Sequence, residues 1–366
     1  MKRILFLSNM YPSKQNPSYG IFVKKTFDWL EEEYDVTLVK ITKKKSVLEK
    51  VISYSLFYLK AIVLGVFGNY DYIYAHFISH CALPIQIIKK FKKNVIVIGN
   101  IHGEDVFSTY EKYQKNRNKA KKFLENSDFI ISPSEYFKNR LVEEYSFSKN
   151  KIFVSPSGGI DTSIFTTYNS LLCREEMGLD LEKIYIGFVS RIEEGKGWDI
   201  FLKAFKRLAE TDTKLRAIMI GEGSQLHILR RDVEEMEISD KVILFPLLSH
   251  SKLAVAYNAM DVFCFASRIK AESLGLVGLE AMACGTPCVI TNYAGPSSYA
   301  KNEYNCLTFN PEDECELAEK IEMLLNKNSE ELDNMRYNAQ ETIKEYESEN
   351  VKQKFMDFFK FLELRN

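Results

Sequence analysis

Short runs of uninterrupted apolar residues recur along the chain, separated by helix-length stretches of mixed polarity. One series falls at residues 4–8, 36–41, 72–75, 95–98, 129–132 and 152–155. A second falls at 185–190, 216–220, 241–245, 262–266, 287–291 and 306–309. Segments such as 20–33, 135–145, 198–211 and 253–260 lie between them. Continuous apolar strands alternating with helices predict parallel sheets covered on both faces. The two series therefore predict an α/β chain of two doubly wound domains, residues 1–165 and 166–347, joined near 161–168. Ligands of such sheets lie beyond the C-terminal strand ends, so the expected site is a cleft between facing domains. The tail is helical and charged from about 312 to 364. Its last helix, about 348–366, is aromatic enough to pack and is expected to return to the first domain.

Length and composition agree with two packed cores: 366 residues, 46% apolar, 27% charged and 13% aromatic. They exclude a disordered chain, a collagen-like repeat and a small disulfide scaffold. The net charge of −1 argues against a nucleic-acid partner. It conceals an asymmetry, because residues 1–160 hold 25 Lys+Arg against 15 Asp+Glu, giving +10, and the rest holds 24 against 35, giving −11. A basic half suits anionic lipid or phosphate. The seven cysteines are scattered with no Cys-x-x-Cys pair, which fits a reducing, cytoplasmic compartment. The opening MKRILFLSNMYPS has too short an apolar run for a signal peptide, and no run of 18 uncharged apolar residues predicts a membrane span.

Four stretches carry candidate chemistry. In AESLGLVGLEAMACGTPCVIT, residues 271–291, Gly285 followed by Thr286 and Pro287 is a helix stop, so a helix runs from about Leu276 to Cys284. Glu272 then sits in the loop before the helix and Glu280 one turn inside it. The free N–H groups at the helix start form an anion site. Carboxylates beside such a site are suited to accept hydrogen bonds from hydroxyls attached to the anion, the layout of a sugar diphosphate. In GFVSRIEEGKGWDI, residues 187–200, Arg191 and Lys196 follow a strand in a glycine-containing loop and suit a diphosphate. NIHGEDVF places His102 after the strand at 95–98, and YPSKQNPSYGIFVKK places Gly20 at a helix entry where backbone can approach a ligand closely. No Asp-x-Asp, Walker A loop, nucleophile elbow or His-Glu-x-x-His occurs, and no metal ligand set is expected.

Together these stretches resemble the family-4 retaining glycosyltransferases of the GT-B fold. YPSKQNPSYGIFVKK resembles the family's N-terminal glycine loop, HGED its His-Gly-x-Asp segment, and SPSGGIDTSIF the joint between domains. SRIEEGKGWD resembles its Arg-x(4)-Lys-Gly loop, and Glu272 with Glu280 its E-x(7)-E motif, with AMACGTP behind it. The resemblance implies two Rossmann-like domains facing across a cleft and a nucleotide-sugar donor, UDP-linked, as co-substrate, with no further cofactor and no metal. It assigns Glu272 to donor-sugar hydroxyls and Glu280 to ribose hydroxyls. Arg191 and Lys196 neutralise the diphosphate, helped by N–H groups of Leu274, Gly275 and Leu276 beside Ser273. His102 lies near the reacting carbon, Gly20 near the donor, and the loop ending at Leu247 flanks the base. The implied reaction is front-side displacement with retention, in which the leaving phosphate takes the acceptor proton. Ser273-Leu274 in place of Gly-Phe, and AGPSSYAKNEYNC in place of Gly-Gly-x-x-Glu, leave the sugar open between a hexose and an N-acetylhexosamine.

The acceptor is read from residues 46–67, which follow Lys43, Lys44 and Lys45. On a helical period Leu48, Val51, Ile52, Leu59, Ile62, Val63 and Val66 share one face. The other holds Lys50, Tyr54, Phe57, Lys60, Ala61 and Leu64. Aromatic side chains flanked by lysines have an interfacial composition, with a helix buried on both sides as the alternative. The expectation is a peripheral enzyme at the inner face of the plasma membrane, inserting Tyr54, Phe57 and Leu64. Its acceptor is a glycan or lipid-linked molecule of cell-surface polysaccharide synthesis. A GT-B-like phosphorylase, a sugar-nucleotide epimerase and an inactive sugar-nucleotide-binding partner subunit remain as alternatives.

Overall fold

The computed structural model describes residues 1–17, 19–107 and 114–364, with the side chain of residue 114 outside the description. The chain divides into two compact units, one formed by Met1–Gly158 with the segment from Val351 on, the other by Gly159–Asn350.

The first unit is a parallel six-stranded sheet of β1 (Arg3–Tyr11), β2 (Asp35–Thr42), β3 (Tyr72–His76), β4 (Ile96–Asn100), β5 (Phe129–Ser132) and β6 (Ile152–Val154). Its order is β2-β1-β3-β4-β5-β6. Alternate side chains leave opposite faces of a strand, and both faces are apolar. Leu5, Leu7, Ile73 and Val97 meet the helices Val47–Phe67 and Ile78–Phe91 on one face. Ile4, Phe6, Tyr72 and Tyr74 meet the helix Ile21–Glu31 and the C-terminal helix Ser348–Glu363 on the other, through Trp29, Phe355 and Phe359. The aromatic tail seen in the sequence is thus core of the first unit. β1 runs through Tyr11, past the strand end expected at residue 8, with a register irregularity between Ser8 and Tyr11.

The second unit contains β7 (Ile184–Val189), β8 (Leu215–Ile220), β9 (Val242–Phe245), β10 (Val262–Phe265), β11 (Cys288–Thr291) and β12 (Leu307–Phe309). They pair in parallel in the order β12-β11-β10-β7-β8-β9. The strand order reverses between β7 and β10, and between β1 and β3 in the first unit. At such switch points adjacent loops diverge and leave a crevice beyond the strand ends. Residues 159–165, drawn with the first domain from the sequence, belong to the second unit. Ile160 and Phe165 are buried in the cluster that contains Tyr257 and Met260, and the Ile160 N–H donates to the Tyr346 carbonyl at 2.7 Å.

Two expectations for residues 46–67 are corrected. The helix Val47–Phe67 is long and apolar enough to cross a membrane by length and composition, although Glu49, Lys50 and Lys60 interrupt it. One of its faces packs on the sheet and on the helix Ile78–Phe91. The face expected to insert is the packed one: Phe57 is 3% exposed, Ala61 and Gly65 are buried, and Tyr54 and Leu64 join the core. Gly65 allows this approach, since a Cβ there would lie 2.4 Å from Ile88. The aliphatic face with Leu48, Val51, Ile52, Leu56, Leu59 and Val63 is left exposed.

Candidate active site

In the second unit the loops after β7 and β10 meet at the switch point. Gly197 makes this possible: its φ is +81°, and a Cβ would sit 1.9 Å from the Ala266 carbonyl oxygen. The Arg268 N–H donates to the Gly195 carbonyl at 2.9 Å. The Arg268 guanidinium grips Asp199 with two bonds, of 2.8 and 3.0 Å, a geometry that fixes orientation as well as distance. Lys196 and Glu272, 76 residues apart, are thereby brought to 2.6 Å between Nζ and Oε2. The Ser267 hydroxyl donates to the same oxygen at 2.8 Å. Burial alone would raise the Glu272 pKa, but the Lys196 charge and hydrogen bond, Ser267 and the Arg191 charge outweigh it and hold the carboxyl below its ordinary value. Among the described residues both side-chain bonds go to Oε2, which leaves Oε1 for a ligand. Arg191 is exposed at the head of the same loop.

The helix Leu276–Ala283 starts three residues beyond Ser273, with Gly275 as a left-handed cap at φ 77°. Its first N–H groups have no intrahelical acceptor. Tyr299 donates to the Gly275 carbonyl at 2.9 Å, and the Gly295 N–H to the Glu272 carbonyl at 3.0 Å. The segment that departs from the family pattern therefore backs this loop. Glu280, 9% exposed, accepts from the Tyr257 hydroxyl at 3.1 Å. Burial pushes its pKa up to about 7 against the opposing effect of that bond. Leu247 stands 72% exposed after β9.

In the first unit His102 follows β4 and is not a lone histidine. Its Nε2 lies 2.8 Å from Nδ1 of His76, the last residue of β3, and the ring planes are 12° apart. Phe77 and Phe22 pack on it with centroids 4.4 and 5.0 Å away. Phe22 joins the glycine-loop segment to the HGED segment. Gly20 has a steric reason of its own, φ +78° with Met10 2.8 Å from any Cβ. Asp105 accepts from the backbone N–H groups of His102 and Ile78, at 2.9 and 3.1 Å. Burial drives the His102 pKa down to about 3 and the Asp105 pKa up to about 7. Burial, then the His102 charge, lowers that of His76. Both imidazoles are neutral at pH 7. Among the described residues His76 Nε2 is buried without a partner, and an orphaned lone pair is more readily tolerated than an orphaned N–H. The hydrogen-bond network therefore assigns the shared proton to His76 Nδ1, and His102 carries its own on Nδ1.

Four residues escaped the sequence reading: His76, Ser267, Tyr257 and the Arg268 that clamps Asp199. Polar residues at the ends of buried strands were the available signal for His76 and Ser267. Tyr257 and Arg268 gave none, since their partners are remote in sequence.

Two family models cover most of the chain. "Glycosyltransferase Family 4" matches residues 23–163 and "Glycosyl transferases group 1" matches residues 172–342. The chain belongs to the family-4 glycosyltransferases of the GT-B fold. Among curated members, a D-inositol 3-phosphate glycosyltransferase of Segniliparus rotundus is 31% identical over 173 residues, 46% of this chain and 38% of the relative. The chain spans less than half the length of the curated relatives it matches first. Among solved structures, Anabaena HepE in complex with UDP and glucose superposes with a TM-score of 0.75 at 17% identity, covering 98% of this chain and 100% of HepE. Sucrose-phosphate synthase of Thermosynechococcus elongatus does so at 0.79 and 20% identity, covering all of both chains. These two establish the GT-B fold for the whole family-4 chain, with one doubly wound sheet in each unit.

Proposed function

We propose that the chain is a retaining glycosyltransferase that moves a hexose or N-acetylhexosamine from a nucleotide sugar, UDP-linked, to a glycan or lipid-linked acceptor. The observation that carries this reading is the Lys196–Glu272–Ser267 cluster at a switch point, set against a helix N-terminus with Glu280 one turn inside. A sugar diphosphate laid across it puts its negative charge on Lys196, Arg191 and the helix N–H groups. Glu272 Oε1 accepts from sugar hydroxyls and Glu280 from the ribose. Preorganised positive charge aimed at a leaving group stabilises the transition state without reorganisation at the moment of reaction. The departing phosphate takes the acceptor proton, so no carboxylate base is needed, and two cations do the work of a metal ion. His102 Nδ1–H is a neutral donor for a sugar hydroxyl. Support for UDP comes from HepE, solved with UDP and glucose.

The acceptor is sought among lipid-linked glycans of cell-surface polysaccharide synthesis, used by a peripheral enzyme at the cytoplasmic face of the membrane. The basic first half supports that reading. The relatives' name makes D-inositol 3-phosphate the soluble comparison. The test is turnover on a panel of UDP-sugars and GDP-mannose with both acceptor classes, with the product anomer read by NMR. UDP release only with acceptor, and a product of the donor's anomeric configuration, is the expected result. Product from inorganic phosphate and glycan would make the chain a phosphorylase.

A further inference from the structure

The first unit has a second concave feature, at the edge of the sheet where the strands begin and His102 does not lie. A pocket of about 640 Å³ opens between the C-terminal ends of the helices Val47–Phe67 and Ile78–Phe91. Lys90, Lys92 and Lys93 line it, together with Gly65, Gly68 and Tyr70. Its acidic member, Asp71, is already satisfied by Lys2 at 2.9 Å and the Arg3 N–H at 2.8 Å. Lys90, Lys92 and Lys93 have no ion-pair partner among the described residues. Two phenyl rings stand in solvent here: Phe91, in the lining, is 69% exposed, and Phe67, just before Gly68, is 82% exposed.

From Phe67 the exposed aliphatic stripe runs back along the helix to Val47, with Glu49, Lys50, Ser55 and Lys60 as the exposed polar residues of that span. At the Val47 end stand Lys43, Lys44, Lys45 and Lys50. Lysines thus bracket an apolar stripe at both ends, and the helix holds a single acidic residue, Glu49. A second copy of the chain would set these lysines against each other. A bilayer with anionic headgroups meets both the charge and the apolar surface.

We propose that the Lys90–Lys93 pocket is a binding site for the phosphate headgroup of an anionic lipid, and that it seats the stripe of the helix Val47–Phe67 in the acyl boundary of the same leaflet. The helix then lies in the membrane plane on its outer face, while its inner face stays on the sheet. It starts where β2 ends, at the strand-end edge that bears His102. There the Asn9 amide, at the end of β1, donates to the Tyr54 hydroxyl at 3.1 Å, and that hydroxyl meets His80 Nδ1 at 3.2 Å. Seating the helix brings that edge beside the lipid surface. The inference deepens the reading of a lipid-linked acceptor and rests on it only for its purpose.

The test is cosedimentation of the full chain with phosphatidylcholine vesicles with and without phosphatidylglycerol, across ionic strength. Binding is expected on the anionic vesicles, weakened by salt but with a salt-resistant remainder. Lys90→Gln with Lys92→Gln and Lys93→Gln should lower it about 10²-fold, from roughly five-fold per surface lysine. Leu56→Asp with Leu59→Asp should abolish the remainder. All five side chains are at the surface, and an unchanged thermal midpoint and UDP affinity verify the fold. Parent protein that ignores anionic vesicles at low salt, or a triple variant that binds like the parent, overturns the proposal. Binding of inorganic phosphate or glycerol 3-phosphate that the triple variant loses, together with vesicle binding that it keeps, would make the pocket a site for free phosphate and overturns it too. Vesicle binding without UDP binding would instead overturn the transferase reading and leave this one standing.

Discussion

In the second unit the loops at the switch point converge on fixed charge: Lys196 against Glu272, Arg191 beside them and Arg268 locked to Asp199. The first unit gathers aromatic rings and two imidazoles stripped of charge by burial. Both sites stand beyond the C-terminal ends of parallel strands, so topology explains the position and not the contents. The contents follow from the chemistry proposed for each. Stabilising a departing diphosphate needs permanent positive charge, held in place by a carboxylate so that it does not relax away. A group that only orients a sugar hydroxyl serves better as a neutral donor, because an imidazolium would compete for the phosphate.

The contrast breaks first at Lys196. Lys196→Ala is expected to cut turnover about 10²–10³-fold, the scale of losing one charge-stabilising donor. It also leaves Glu272 partly buried and unpaired, so Lys196→Ala with Glu272→Ala should unfold at a higher temperature than Lys196→Ala alone. A double variant no more stable than the single would show that the pair is not coupled. His76→Ala should lower kcat about ten-fold with UDP affinity unchanged. Nitrogen NMR of the parent should show His102 protonated at Nδ1, and loss of that tautomer in the variant would establish His76 as its positioning residue.

Among the described residues each unit also holds one carboxyl raised to about 7, Glu280 and Asp105, and pH separates their roles. Ribose hydroxyls donating to Glu280 favour its ionised form, so UDP affinity should fall as pH drops below about 7, by up to ten-fold per pH unit. Glu280→Gln should flatten that profile, as calorimetry across pH would show. Asp105 has no ligand in this reading, and its effect is on folding stability, with the sign that any raised carboxyl has, Glu280 included. A carboxyl whose folded pKa lies above its unfolded value of 3.8 stabilises the fold fully below that value, and the contribution is lost as pH rises through about 7. Asp105→Asn should therefore lessen the decline in the thermal midpoint between pH 4 and pH 7, leaving the part that Glu280 contributes. The smallest expected effect is none: turnover should survive EDTA. Loss in chelator, restored by Mg²⁺ or Mn²⁺, would mean that Arg191 and Lys196 do not suffice.

The alternation of apolar runs and amphipathic segments determined both sheets, strand by strand, because a strand buried on both faces has to be apolar throughout. The places of Glu272, Glu280, Arg191 and Lys196 in the fold were legible because strand ends and helix starts are local features, marked by Gly195, Gly197, Gly275 and Gly285. Other features depended on how distant segments pack. The Asp199–Arg268 clamp joins residues 69 apart, and the His76–His102 pair comes from two strands that are adjacent only in the folded sheet. Which face of the helix Val47–Phe67 turns inward was also a tertiary decision. Both faces are apolar, so periodicity could not choose between them, but Gly65 and Ala61 let the helix approach Ile88 and the sheet only on their side. That choice buries Phe57 and leaves the aliphatic stripe in solvent.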